Sequence, residues 1–290
     1  MGEIDDRKIS ARAVAFSDIG PCRQQNQDAI VLGCTVGVGD ESRLEWSGVI
    51  TDPVTFAVVD GMGGYEGGAE AAAVVATGIA SARPYAEGAE ADDLFSSISE
   101  KVAKAGEAWG TPSMGATFAS LSIGSDGCIF LNVGDCRSYK LSGGYLGQMS
   151  VDDRVSPDSS SITQALGASA RVDTHAWRQD VPLGTTRYLL CTDGTWGSMA
   201  QDELASLGDP GVKLNDAIDF MKSRIYENNA NDNCSAVIVD VLVEAAENGE
   251  EEQDGWGDEG REVRCCTDEV GVDPDENRIG PDPSGSELGS

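Results

Sequence analysis

The order of strand-like and helix-like segments is the feature that most constrains the fold of this chain. Eight runs rich in β-branched and aromatic residues predict β-strands, and they begin at positions 11, 28, 54, 116, 127, 137, 186 and 234. Three helices are predicted at 66–82, 91–109 and 213–227, and the first two are neighbours. This order differs from the strict alternation of strand and helix in a parallel sheet. The pattern predicts an α+β fold with antiparallel sheets.

Two short turn sequences and one helix face add detail to this prediction. SDG at 125–127 and GDC at 134–136 each separate two successive strand-like runs, as hairpin connections do. In the third helix, Ile218, Met221 and Ile225 recur at helical spacing and predict one buried face.

The composition divides the chain into a domain at 1–243 and a tail at 244–290. The chain has 290 residues, of which 40% are hydrophobic, and this is enough for one large packed domain. From Glu244 onward there are 16 acidic residues against three arginines. Such a segment cannot bury enough surface to offset its ordering entropy, so we predict that it is disordered. The alternative is an acidic tail that docks on a basic partner or folds back over the domain.

The net charge of −30, from 50 acidic and 20 basic residues, excludes several classes of partner. A nucleic-acid backbone or an anionic membrane would be repelled, whereas divalent cations suit this balance. No window is as long and apolar as a membrane span, and the N-terminal segment lacks the layout of a signal peptide. These features predict a cytoplasmic protein that binds neither nucleic acid nor membranes.

Cysteine and histidine usage argues against disulfide, zinc and histidine-based chemistry. Six of the eight cysteines are scattered singly, and four of these lie within or beside apolar runs, which indicates buried thiols in a reducing compartment. The adjacent Cys265 and Cys266 lack the CxxC spacing of a zinc site. The only histidine, His175, lies in a polar stretch and is predicted to be on the surface.

Four aspartates stand where apolar runs begin or end. Asp60, Asp135 and Asp193 each follow such a run, and Asp232 precedes one. A single aspartate at a strand end is common because this residue caps and turns well. Four converging carboxylates would repel one another unless a cation lay among them, and Mg²⁺ and Mn²⁺ prefer oxygen ligands. The set therefore indicates a site for hard divalent cations.

Seven sequence blocks occur in the order found in one enzyme family. They are SDIGPCRQQNQDAI (17–30), FAVVDGMGGYEGGAEAA (56–72), MGATFASLSI (114–123), LNVGDCRSYKL (131–141), ITQALGA (162–168), YLLCTDGTW (188–196) and NDNCSAVIV (231–239). Through these blocks the chain resembles the PPM family of metal-dependent protein phosphatases, the protein phosphatase 2C type, in its short bacterial form. The resemblance implies a four-layer α/β/β/α sandwich, in which two mostly antiparallel sheets are flanked by helices.

The resemblance also implies two Mn²⁺ or Mg²⁺ ions and a third that binds more weakly. Asp60 would bridge the first two ions, and Gly61 would offer its carbonyl oxygen. Asp193 and Asp232 would complete the shell of the first ion, and Asp135 matches the position associated with the third.

Other matched positions concern the substrate and the bound water. Arg23 matches the arginine that grips the substrate phosphate, and its guanidinium suits a phosphoryl group bidentately. Asp28, Gln27 and Asn233 match positions close to the metals, where Asp28 acts through water. The implied reaction is direct attack on phosphorus by a metal-activated water, with no covalent enzyme intermediate. A cysteine nucleophile is disfavoured, because the segment after Cys22 lacks a glycine-rich phosphate cradle.

Four features depart from the family pattern. Gln27 replaces a carboxylate that holds a metal-bound water, and Met62 stands where eukaryotic relatives have a general-acid histidine. The segment before ITQALGA has Asp152 and Asp153 but no histidine, which predicts a short flap, and Ser235 replaces threonine. These differences leave the proton donor to the leaving group unassigned and predict an open site.

The leading hypothesis is a protein phosphatase for phosphoserine and phosphothreonine, acting as a monomer on phosphorylated proteins alongside a cognate Ser/Thr kinase system. The alternative that Gln27 supports is a catalytically weak regulatory module that binds phosphoproteins. The retention of Asp60, Asp193 and Asp232 argues against that alternative. A phosphomonoesterase for small molecules would use the same site.

Overall fold

Two sheets of six strands form the centre of the fold. The computed structural model describes residues 7–157, 159–168 and 171–245. With strands numbered along the chain, the first sheet contains, in spatial order, β4 (Glu41–Val49), β1 (Lys8–Asp18), β12 (Cys234–Glu244), β11 (Gly184–Cys191), β8 (Arg137–Ser142) and β9 (Tyr145–Gln148). The second sheet contains β10 (His175–Gln179), β7 (Gly127–Val133), β6 (Gly115–Gly124), β5 (Val54–Met62), β2 (Asp28–Leu32) and β3 (Thr35–Gly37).

All neighbouring strands within the described segments pair antiparallel. The helices of the described segments are α1 (Gly64–Ala82), α2 (Ala89–Trp109), α3 (Asp193–Ser198), α4 (Gln201–Ser206) and α5 (Leu214–Glu227).

Alternating side chains on the central strands connect the layers. Along β12, Val237 and Val239 join the hydrophobic cluster between the two sheets, whereas Ile238 joins the cluster on the outer face. A strand that is buried on both faces reads as a continuous apolar run, because successive side chains point to opposite faces. Between the sheets, the rings of Phe130 and Tyr188 meet edge to face with centroids 5.4 Å apart.

Helices cover the outer faces of both sheets. Helices α1 and α2 pack on the second sheet, where Phe95 of α2 stacks on Phe118 of β6. Helices α4 and α5 pack on the first sheet, and α5 buries Ile218, Met221 and Ile225 as its spacing predicts. The predicted four-layer α/β/β/α sandwich is therefore confirmed.

The predicted elements are confirmed, but one predicted hairpin is wrong. The eight predicted strands and three predicted helices are all present, and the SDG sequence joins β6 to β7 as a hairpin. The GDC sequence instead carries the chain from the second sheet to the first, where β8 pairs with β11. Gly134 has φ of 93°, a conformation that favours glycine and turns the chain out of the second sheet. The strands β3, β4, β9 and β10 are short or half-exposed, and the apolar pattern did not indicate them.

The predicted domain boundary falls within the last strand. Strand β12 extends to Glu244, one residue past the predicted domain of 1–243. The rest of the predicted tail, from residue 246, lies outside the described residues, as do Cys265 and Cys266.

Within the described part of the chain, no helix combines the length and apolar character needed to span a bilayer.

The cysteines of the described residues are free thiols: Cys128, Cys136, Cys191 and Cys234 are buried, and Cys22 is exposed. Cys34 is also exposed.

The stack of Phe118 on Phe95 gives a first testable prediction. The ring centroids are 4.3 Å apart at an interplanar angle of 19°, and both side chains are fully buried. We expect Phe118→Ala to lower the free energy of unfolding by about 3–5 kcal/mol, because it leaves a cavity under α2. Trp177→Ala, at an edge-strand residue that is 59% exposed, is the control and should cost less than about 0.5 kcal/mol. Urea unfolding measures both, and equal losses would contradict the prediction.

Candidate active site

Five aspartates lie at one end of the two sheets. Asp28 begins β2 and is the direct cross-strand partner of Asp60, which lies near the end of β5. Asp135 lies in the crossover between β7 and β8, and Asp193 begins α3 just after β11. Asp232 lies just before β12. Strands β2 and β12 start where β5, β7 and β11 end, so the antiparallel topology brings all five to the same edge.

Asp60 lies at the centre of this aspartate cluster. Burial raises the pKa of Asp60 well above its ordinary value, and the negative charges of Asp28, Asp193, Asp135 and Asp232 raise it further. Within the described segments, no side chain donates a hydrogen bond to the Asp60 carboxylate. Its electrostatic surroundings therefore disfavour the charged form and would favour a bound cation.

Asp28 is held by two hydroxyl groups. Its Oδ2 atom accepts hydrogen bonds from Thr192 Oγ1 at 2.9 Å and from Ser235 Oγ at 2.7 Å. Burial raises the pKa of Asp28 to about 7, although these hydrogen bonds act in the opposite direction. The charges of Asp193 and Asp232 add to the increase. Ser235 therefore keeps the hydroxyl of the expected threonine, and the hydroxyl orients Asp28.

Asp193 and Asp232 lie on the side of the first sheet. Burial and the charges of Asp135 and Asp232 raise the pKa of Asp193 to about 6, against the opposing effect of Arg154. Asp232 Oδ2 lies 2.6 Å from Arg23 Nη2 in an ion pair whose side chains are 32% and 47% exposed. The Nε atom of Arg23 also donates to the carbonyl of Asn231 at 3.1 Å. The predicted phosphate-binding arginine therefore lies at the rim of the cluster.

Asn233 fixes the loop that carries Arg23 and Gln27. Its Nδ2 atom donates to the carbonyl oxygens of Ile19 and Gln25, both at 2.9 Å. Its Oδ1 atom accepts from the Gln27 amide at 3.0 Å. Because Asn233 is buried, these bonds hold the loop against the start of β12, so Asn233 positions other residues of the site.

Close backbone contacts surround Gly61. The Gly61 amide donates to the carbonyl of Gln27 at 3.1 Å, and a Cβ atom on Gly61 would overlap the carbonyl oxygen of Gly68 in α1. A Cβ atom on Gly68 would lie 2.7 Å from Gln27 Cδ. These glycines therefore let strand, loop and helix approach each other at the site. Met62 ends β5 and adds no titratable group.

Asp135 has a partner that the sequence did not indicate. Its Oδ2 atom accepts a hydrogen bond from Arg154 Nε at 3.1 Å, and its backbone carbonyl accepts one from Trp196 Nε1 at 3.1 Å. Burial raises the pKa of Asp135, and Arg154 opposes the increase. Arg154 lies in the predicted flap, where no motif marks it. Trp196 stands at the end of the YLLCTDGTW block, and that position is the only sequence signal for it.

The sequence predicted that His175 lies on the surface, but the structure shows it partly buried and paired with Asp153. It is 33% exposed, and its Nε2 atom lies 2.8 Å from Asp153 Oδ1. Asp153 Oδ2 also accepts hydrogen bonds from the Gly134 amide and from Gln164 Nε2, both at 2.8 Å. His175 therefore belongs to a polar network that joins the flap to the Gly134 turn beside Asp135.

The donor set fits hard divalent cations. Among the described residues, no group of three or more His, Cys, Asp or Glu side chains has the arrangement of a metal site. The cluster nevertheless offers only oxygen donors, and its carboxylates raise one another's pKa values. Oxygen donors with uncompensated negative charge suit Mg²⁺ and Mn²⁺.

Comparisons with known proteins identify the fold. No protein-family model matches the chain, and no curated protein matches its sequence. Solved structures do match: an S. agalactiae serine/threonine phosphatase has a TM-score of 0.65 at 20% identity, over 79% of this chain and 98% of that one. The fold is that of bacterial serine/threonine phosphatases.

Two further matches extend this comparison. PppA, described as a key regulatory component of a secretion system in Pseudomonas aeruginosa, has a TM-score of 0.64 at 22% identity, over 79% of this chain and 98% of its own. The catalytic domain of the phosphatase PstP, solved in complex with two manganese ions, has a TM-score of 0.63 at 23% identity. That match covers 81% of this chain and 99% of the PstP chain. The shared fold therefore spans nearly the whole length of these proteins.

Because the aspartates repel one another, we expect Asp60 to destabilise the metal-free protein. In EDTA, we expect Asp60→Asn to raise Tm by about 2–4 °C, which corresponds to about 1 kcal/mol for a domain of this size. Added Mn²⁺ should raise the Tm of the wild type and leave that of the variant unchanged.

Asp240→Asn is the matched control for this substitution. Asp240 lies away from the cluster and pairs with Arg187 through contacts of 2.6 and 2.8 Å, so its loss should lower Tm. Differential scanning calorimetry measures both variants. A lower Tm for Asp60→Asn in EDTA would mean that repulsion does not dominate at Asp60.

The raised pKa values also predict how stability depends on pH. In the folded state, burial raises the pKa of Asp28 to about 7 and that of Asp193 to about 6. Both groups therefore bind protons in the folded state that the unfolded state releases above about pH 4. The free energy of unfolding of the metal-free protein should therefore fall as pH rises from about 4 to 7. Thermal unfolding in EDTA at about pH 5.5 and pH 8 measures this effect. The difference should shrink in Asp60→Asn, and a Tm that rises with pH would contradict the assignment.

Proposed function

We propose that this protein is a metal-dependent protein phosphatase that hydrolyses phosphoserine and phosphothreonine. The observation that carries the proposal is the convergence of five aspartates at one end of a bacterial serine/threonine phosphatase fold. A structural neighbour that binds two manganese ions supports a two-metal site.

Residues beside both sheets would bind the two metal ions. Asp60, on the second sheet, would lie between two ions, and the Gly61 carbonyl would bind one of them. Asp193 and Asp232, beside the first sheet, would complete the other shell, and Asp28 would hold a water molecule. When bound, the two ions supply an activated water and positive charge for the phosphoryl oxygens.

Arg23 would orient the phosphoryl group of the substrate. Its ion pair with Asp232 is partly exposed, and exposed pairs contribute no more than about 1 kcal/mol. A phosphoryl dianion can therefore displace Asp232 and accept two parallel hydrogen bonds from the guanidinium. The loop fixed by Asn233 keeps Arg23 at the rim, where a phosphorylated side chain of a protein could enter.

A protein phosphatase acts on substrates that a kinase has phosphorylated. We propose phosphorylated proteins as substrates, a Ser/Thr kinase system as the source of the phosphoryl groups, and a monomer in the cytoplasm as the active form. A small-molecule phosphomonoesterase would use the same site but would not prefer a phosphothreonine peptide over p-nitrophenyl phosphate.

An activity assay tests the proposal. The purified protein should hydrolyse p-nitrophenyl phosphate and a phosphothreonine peptide when Mn²⁺ is added, and EDTA should abolish both activities. The double variant Asp60→Asn, Asp193→Asn should lose at least about 100-fold in kcat/KM, because the remaining carboxylates cannot hold both ions.

A matched double variant controls for the change in charge. Glu100→Gln with Asp219→Asn also removes two carboxylates, at positions that are 73% and 65% exposed, and should retain full activity. If saturating Mn²⁺ gives the wild type no more activity than the Asp60→Asn, Asp193→Asn variant, the enzyme proposal fails. Phosphopeptide binding without turnover would then favour the regulatory module.

A further inference from the structure

A buried ion pair adjoins the aspartate cluster. Arg154 Nε donates a hydrogen bond to Asp135 Oδ2 at 3.1 Å, and the two side chains are 13% and 5% exposed. The Arg154 guanidinium also lies over the Trp196 ring, 4.8 Å from its centroid. The Trp196 indole nitrogen in turn donates to the Asp135 carbonyl. The segments that carry Asp135, Arg154 and Trp196 thus hold the positive charge of Arg154 against Asp135.

The backbone on either side of this pair is fixed as well. The Asp153 amide donates to the Gly134 carbonyl at 2.9 Å, and Asp153 Oδ2 accepts from the Gly134 amide at 2.8 Å. Arg154 itself forms an antiparallel bridge with Ile162. Gly134, which precedes Asp135, and Asp153, which precedes Arg154, are thus hydrogen-bonded to each other. The backbone segments that carry Asp135 and Arg154 are therefore fixed against each other.

The two arginines of the site differ in how firmly they are held. Arg23 is 47% exposed in its pair with Asp232, whereas Arg154 is 13% exposed in its pair with Asp135. A substrate can displace the first pair, but breaking the second would leave an uncompensated buried charge. Arg154 also opposes the increase in the pKa of Asp193, so its charge acts on the cluster beyond Asp135.

We propose that Arg154 takes the place of the third metal ion, so that Asp135 binds no ion and the protein holds two. This inference rests on the proposed two-metal function. The guanidinium supplies the positive charge that the resemblance assigns to a weakly bound ion at Asp135. A divalent ion at Asp135 would have to displace the buried arginine from Oδ2 and from the Trp196 ring, or bind beside its positive charge, and both arrangements are unfavourable.

Counting bound ions tests the proposal without relying on activity. Mn²⁺ is titrated calorimetrically into the full-length protein, and free Mn²⁺ is counted by electron paramagnetic resonance. The wild type and Asp135→Asn should each bind two ions. Arg154→Gln should bind one more ion, because it leaves the Asp135 carboxylate free, and Arg154→Lys should bind two. Arg154→Gln combined with Asp135→Asn should return to two.

Arg137→Gln is the matched control. Arg137 stacks on the same Trp196 ring at 3.5 Å, but it pairs with Asp152 and not with Asp135. It should therefore leave the ion count unchanged. Thermal unfolding gives a second readout: Mn²⁺ should raise the Tm of Arg154→Gln more than that of the wild type or of Arg137→Gln.

The outcomes separate this inference from the proposed function. A third ion in the wild type that Asp135→Asn removes would overturn the inference and leave the two-metal function intact. Two ions with unchanged affinity in Arg154→Gln would overturn it in the same way. If Arg154→Gln does not fold, the Asp135→Asn count still decides. No bound Mn²⁺ in the wild type would overturn the inference together with the proposed function.

Discussion

The mutual repulsion of carboxylates at one end of the sandwich is the constraint on which the rest of the site depends. Asp28, Asp60, Asp135, Asp193 and Asp232 lie where strands begin or end, and each strand is held by the cores between and outside the two sheets. The repulsion therefore cannot relax by moving the aspartates apart. A fold that keeps such a cluster gives up stability for a site that favours cations.

The surroundings compensate for this repulsion unevenly. Hydroxyl groups donate to Asp28, Arg23 pairs with Asp232, and Arg154 pairs with Asp135. Asp60 has no such partner within the described segments, although the charges of the other four act on it. The centre of the cluster is thus the place where the negative charge is least compensated. A bridging position for Asp60 between two ions agrees with this distribution, and a third ion at Asp135 agrees with it less well.

The sequence predicted what local patterns encode. Asp60 and Asp193 could be found because each lies at the end of a strand-like run, and the antiparallel α+β fold followed from the order of the runs. The GDC turn was misread because a turn sequence does not specify which sheet receives the next strand. Arg154 and His175 were missed because they contact residues 19 and 22 positions away, with no periodic signal to link them. Such contacts depend on tertiary packing.

The contacts around the site differ in a way that would suit the proposed hydrolysis of a protein-bound phosphate. Asn233, which is buried, and the glycines at 61 and 68 fix the backbone against which ions and substrate would bind. Arg154 is committed to Asp135, whereas Arg23 holds Asp232 only through a pair open to solvent. In the proposed function, the phosphoryl group would displace only the weak, solvent-exposed contact between Arg23 and Asp232. The other carboxylates of the cluster would then keep their positions as the substrate binds.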